Sequence, residues 1–222
     1  MKKIYLSMAV LMFVSIQACL AGSASYGFRV SSVTWKESEI FTDPSAKASG
    51  AMFGPSLLFK FPATDSLSLG IDGLYGALDN ADRSDWDVTL SYQLAPYFTV
   101  FGEFKYLWYE YEVDKDRKSA TKAPGGGLGV GLNVPLVPNG VILFANTRVL
   151  TMSVSSDEAG KGGNALMWAY EAGLALPLEF DSGAKDSNFY LAAGFRYQQM
   201  KGDNVDERAQ MPFAEIGFRQ EF

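Results

Sequence analysis

A chain of 222 residues with a formal net charge of −6 is long enough for one domain or at most two small ones. Its 48% hydrophobic and 20% charged content excludes disorder and a collagen-like chain, and a single cysteine excludes a disulfide framework. The absence of histidine removes imidazole as general base, zinc ligand or near-neutral pH switch, and 25 acidic against 19 basic residues argue against a nucleic-acid partner.

The first segment, residues 1–24, reads as a secretory signal. Lys2 and Lys3 form the positive n-region, Met8 to Val14 the apolar h-region, and Ala18, Ala21, Gly22, Ser23 and Ala24 the small residues of a cleavage zone. The stretch is too short for a membrane-spanning helix. Losing Lys2 and Lys3 takes the 19 basic residues to 17 against 25 acidic ones. Ile16-Gln17-Ala18-Cys19 faintly resembles a lipoprotein box; the plainer reading discards Cys19 with the peptide. Either way no internal disulfide is possible.

From Tyr26 onward the chain alternates with period two. Tyr26 to Trp35 opens the series, and Ala51 to Phe61 follows. Leu67, Leu69, Ile71, Gly73 and Tyr75 alternate with Ser66, Ser68, Gly70 and Asp72. Trp86, Val88, Leu90, Tyr92 and Leu94 do the same, as do Val100, Gly102, Phe104, Tyr106 and Trp108. Leu128 to Val134, Val141 to Thr151, Leu166 to Leu176 and Phe189 to Tyr197 continue the pattern, and Met211 to Phe222 closes it. These make about ten strands, each near the ~9–11 residues a tilted membrane strand needs. The connectors alternate in length. Pro62–Asp65, Ala95–Tyr97 and Val137–Gly140 are short. Glu37–Ser49, Leu78–Asp85, Asp114–Pro124, Ser155–Asn164 and Lys201–Ala209 are read as longer polar loops. Leu178 to Ser187 departs from the alternation.

The charges share one parity. Arg29, Lys60, Asp72, Asp87, Glu103, Lys105, Arg148, Glu171, Arg196, Glu215 and Arg219 all fall on the side opposite the apolar residues. Placing Arg or Lys on a lipid face costs roughly 2–4 kcal/mol at mid-depth, so these side chains must point inward. A soluble sandwich also segregates its faces. The aromatic residues Tyr75, Trp86, Tyr92, Tyr106, Trp108, Trp168, Tyr170 and Tyr197 tip the balance, because they lie toward strand ends where interfacial girdles belong. The expected fold is all-β: a closed antiparallel transmembrane β-barrel of about ten strands, eight or twelve being the alternatives, spanning residues 25–222 with both termini periplasmic.

The closing segment, in which Ala214, Ile216, Phe218, Gln220 and Phe222 alternate with Glu215, Gly217, Arg219 and Glu221, resembles the final strand of small bacterial outer-membrane β-barrel proteins. Gln220 departs from the apolar residue usual there. The resemblance covers the mature chain as architecture. It implies an outer-membrane location and makes Ile216, Phe218 and Phe222 an assembly signal read by the barrel-insertion machinery. Outer-membrane lipids and lipopolysaccharide are the expected surroundings. Outer-membrane proteases, phospholipases, deacylases and palmitoyl transferases resemble one another in using an active-site histidine, which this chain lacks, so no enzyme and no cofactor is expected.

Three motifs are weighed against plainer readings. Asp82, Asp85 and Asp87 form an acidic cluster suited to carboxylate chemistry or a divalent cation; the spacing is not that of a calcium loop, and a solvated rim loop explains it. Gly125 to Gly131 contains GxGxxG with no helix to follow; the glycines make room for large lumen side chains from neighbouring strands. The inward charges, with Phe101, Leu107, Tyr109 and Tyr190 on their parity, suggest a salt-bridged, hydrated plug that either gates a narrow pore or closes it permanently. The functional expectation is a structural barrel or narrow passive channel. The alternatives are a surface adhesin, receptor or lipid-binding barrel acting through the loops, and a soluble ligand-binding barrel.

Overall fold

The computed structural model describes residues 22–38, 47–62, 64, 66–114, 117–138, 140–157, 162–178, 187–202 and 204–221. The expected signal segment and Phe222 lie outside them. Ten strands run in order: β1 Ser23–Ser38, β2 Lys47–Lys60, β3 Leu67–Leu78, β4 Ala81–Ala95, β5 Phe98–Asp114, β6 Arg117–Pro135, β7 Ile142–Ser156, β8 Gly162–Leu178, β9 Ser187–Gly202 and β10 Val205–Glu221. Each pairs antiparallel with its chain neighbours, and β1 pairs with β10 to close the barrel. Closure satisfies every strand edge in a medium that offers no hydrogen bonds. No helix among the described residues is long and apolar enough to cross a membrane.

The side-chain alternation sets the register. On the outer face Trp86 sits opposite Tyr106, and Val88 opposite Phe104. On the inner face Arg29 sits opposite Glu215, Asp87 opposite Lys105, and Glu171 opposite Arg196. A slip of one residue would carry these charges into lipid and the Phe and Leu residues into the lumen. The outward belt is apolar around the circumference, including Phe28 and Val30 on β1, Leu90 on β4, Leu128 on β6, Leu174 on β8 and Ile216 on β10.

Three of the expected long loops are strand instead. β3 and β4 are joined at Asp79-Asn80, β5 runs to Asp114 with β6 resuming at Arg117, and β9 and β10 are separated by two residues. The polar stretches kept the period-two alternation, so the strands continue past the apolar belt. On β5 the outward residues are apolar from Phe98 to Trp108 and then become Glu110 and Glu112. The last six residues of β5 therefore rise about 15 Å beyond the belt at an ordinary strand rise and tilt.

The interior has two zones. Toward the end opposite the termini, twenty buried apolar residues drawn from all ten strands fill the lumen. Trp35, Tyr109 and Tyr111 pack together there, with ring centroids 5.0 to 6.3 Å apart. Met52, Met152, Met167, Met200 and Met211 fill the spaces between them, as an unbranched, flexible side chain can. Toward the terminal end, the interior is polar and opens into a cavity.

Candidate functional site

The candidate site is the lumen. Its charged side chains form one connected ladder. Glu207 pairs with Arg83 at 2.6 Å and Arg83 lies 3.9 Å from Asp85. Asp85 pairs with Lys105, which also donates to Asp87 at 2.7 Å. Arg196 bridges Asp87 at 3.0 Å and Glu171 at 2.6 Å. Arg29 then links Glu171 at 3.4 Å to Glu215 at 2.8 Å, and the Tyr190 hydroxyl donates to Glu215 at 2.6 Å. Arg148 forms a side branch, 3.0 Å from Glu103 and 3.8 Å from Asp87.

The ladder follows from register. Adjacent strands place opposite charges directly across from one another on the lumen face, and Arg83 and Arg196 then span to more distant strands. Among the described residues seven cations (Arg29, Lys60, Arg83, Lys105, Arg148, Arg196, Arg219) and seven anions (Asp72, Asp85, Asp87, Glu103, Glu171, Glu207, Glu215) lie on this face. Such a balance is what burial demands, since an unpaired ion in a low-dielectric interior costs several kcal/mol.

The acidic segment around Asp85 is not a solvated loop. Asp85 and Asp87 lie inside the barrel, 2% exposed, held by Lys105 with Gln198 donating to Asp85 at 3.1 Å. Asp82 points outward on the same strand. The loop reading overlooked Arg83, Asp85 and Glu207 as lumen residues. The signal was available: Arg83, Asp85 and Asp87 share the parity of Glu103 and Lys105 across the strand pair. Among the described residues no group of three His, Cys, Asp or Glu is placed to hold a metal.

Asp72 stands apart from the ladder. It faces Asp87 directly across β3 and β4, and its Oδ1 is buried without a hydrogen-bond partner. Lys60, Asp72, Arg219 and Arg148 line a cavity of about 530 Å³ near the terminal end, walled also by Ser25, Ser68, Ser91, Asn133 and Asn146. Tyr190 lies over Gly217, and Phe101 over Gly129. A Cβ at either glycine would collide with the ring, so glycine is what admits a large side chain to a narrow lumen. Ile216 points outward, and the Phe218 ring meets Phe189 edge-on at 5.3 Å. The Gln220 side chain, like Phe222, falls outside the described residues.

The ladder ends below the apolar zone except where Arg83, Asp85 and Glu207 pass into it along one wall. A through path for water would have to cross the layer containing Trp35, Tyr109 and the five methionines, all at most 1% exposed apart from the neighbouring Tyr111.

No family model and no curated protein sequence matches the chain. Solved structures do resemble it. The outer membrane protease OmpT from Escherichia coli superposes with a TM-score of 0.54 at 8% identity, covering 90% of this chain and 96% of that one. Neisserial surface protein A gives 0.44 at 15% identity over 90% and 99%, and the attachment invasion locus protein Ail of Yersinia pestis gives 0.38 at 12% over 87% and 98%. At these identities the likeness is one of fold. With a closed ten-stranded sheet, a continuous apolar belt and a charge-paired interior, the chain has the architecture of the small bacterial outer-membrane β-barrels, and the outer membrane is its location.

Proposed function

We propose that this protein is a closed structural barrel that carries no solute through its lumen and acts through its surfaces. The observation supporting this reading is the apolar layer contributed by all ten strands. Ions crossing it would shed hydration against Met, Leu and aromatic side chains, the physical basis of a hydrophobic gate. The ion-paired ladder beneath favours the same reading: its charges are occupied with one another and hold the strands in register. The cavity at the terminal end is then a blind vestibule facing the periplasm.

Recording from refolded protein in planar bilayers tests this. Incorporated barrels, verified by heat-modifiable gel mobility, are expected to show no discrete steps, whereas a variant combining Trp35→Gly and Met167→Gly should conduct. Steps from the unmodified protein would return it to the narrow-channel reading.

A further inference from the structure

Beyond the apolar belt, the outer wall carries an unusual charge arrangement. On β8 and β9, Tyr170 and Tyr197 stack at 6.4 Å on the outward face, marking the interfacial girdle. One two-residue step farther along β9 is Gln199, which faces Arg208 on β10. Arg208 faces Lys36 on β1, and Lys36 faces Lys47 on β2. Three cations thus lie directly opposite one another across three adjacent strands, all exposed. Lys201 adds a fourth, opposite Asp206. Among the described residues neither Lys36, Lys47 nor Lys201 forms an ion pair, and Asp206, 3.5 Å from Arg208, is the sole acidic side chain paired within the group.

Like charges directly opposite on a sheet repel, so the row costs stability in the isolated protein. Its occurrence in a chain of net charge −6 calls for an anion outside the protein. The row stands about one strand step, roughly 5 Å in height, beyond the girdle tyrosines, which is headgroup depth. On the opposite side of the barrel, Asp82 and Glu110 face each other across β4 and β5, so the basic row is not a general property of the rim.

We propose that Lys36, Lys47 and Arg208 form a binding row for the phosphate of an outer-leaflet lipid headgroup, its acyl chains lying along the apolar wall of β10, β1 and β2 beneath. Three cations at strand spacing match a headgroup bearing more than one phosphate, and the arginine supplies a planar fork for its oxygens. The inference rests on the outer-membrane placement and is independent of whether the lumen conducts.

The test uses the refolded full chain in nanodiscs of phosphatidylcholine, alone or doped with bisphosphorylated lipid A. Lipid retained after detergent extraction is measured by native mass spectrometry. Lys36→Gln/Lys47→Gln/Arg208→Gln should retain at least fivefold less lipid A than the unmodified protein. The control Lys118→Gln/Lys122→Gln, on β6, should retain the normal amount. In phosphatidylcholine the triple variant should melt at or above the unmodified protein; with lipid A the order should reverse. Inorganic phosphate should not reproduce the lipid's stabilisation, because the acyl chains supply part of the affinity. Equal retention by the triple variant, equal retention of dephosphorylated lipid A, or an equal loss in the control overturns the proposal, and stabilisation by inorganic phosphate alone assigns the row to a free anion instead.

Discussion

Arg196 is the point at which the interior ladder is most exposed to perturbation. It is 3% exposed and bridges Asp87 at 3.0 Å and Glu171 at 2.6 Å. Replacing it with methionine keeps the volume and removes the charge. Asp87 keeps Lys105 at 2.7 Å and Arg148 at 3.8 Å, whereas Glu171 is left with Arg29 at 3.4 Å. Removing one partner of a buried pair costs about 3–5 kcal/mol, and the surviving contacts place Arg196→Met near the lower bound, at about 3 kcal/mol. Glu171→Gln alone should cost about 2 kcal/mol, since Arg196 keeps Asp87 and Arg29 keeps Glu215. If the two groups act on each other, the double variant should fall short of the summed losses by about 1–2 kcal/mol. The assay is reversible guanidinium unfolding from lipid vesicles, followed by tryptophan fluorescence. Additivity within about 0.5 kcal/mol would show that the ladder is a set of independent neighbours and refute the reasoning.

Asp72 should behave in the opposite sense. Because it faces Asp87 and leaves Oδ1 unpartnered, Asp72→Asn is expected to be neutral or to stabilise by up to about 1 kcal/mol; a loss above that in the same unfolding assay contradicts the placement. Leu128, 75% exposed on the lipid face, should cost roughly 2–4 kcal/mol when changed to arginine, and an unaltered unfolding midpoint would mean that this face does not meet lipid. Trp86 covers Gly73 on the outer face, so Trp86→Ala should speed hydrogen exchange at the β3–β4 ladder around Gly73, with unchanged protection counting against the contact. Raising salt from 0.05 to 0.5 M, on the order of a threefold change in Debye length, should screen the exposed Lys118–Glu110 pair and leave the lumen ladder's contribution intact. A double-mutant cycle on Arg29 and Glu215 that collapses in salt would show that the lumen is wet.

The alternation of residues such as Trp86, Val88 and Leu90 with Asp87 and Thr89 determined the architecture by itself. With a period of two, one face of every strand is committed, and the cost of a charge in lipid says which. The strand number and the inward side of each charge were legible for that reason. Polarity misled where it was read as loop: Asp85 and Arg83 obey the same parity, but a stretch dense in Asp, Asn and Ser looks solvated until its partners Lys105 and Glu207 are placed across the lumen. The apolar layer escaped sequence reading because Trp35, Met52, Met167 and Met211 sit on the parity of the charges, scattered one or two to a strand. Only the closure of β1 on β10 and the stagger of the strands bring such residues to one height, because height in a tilted barrel depends on the cumulative register of every intervening pair rather than on any single strand.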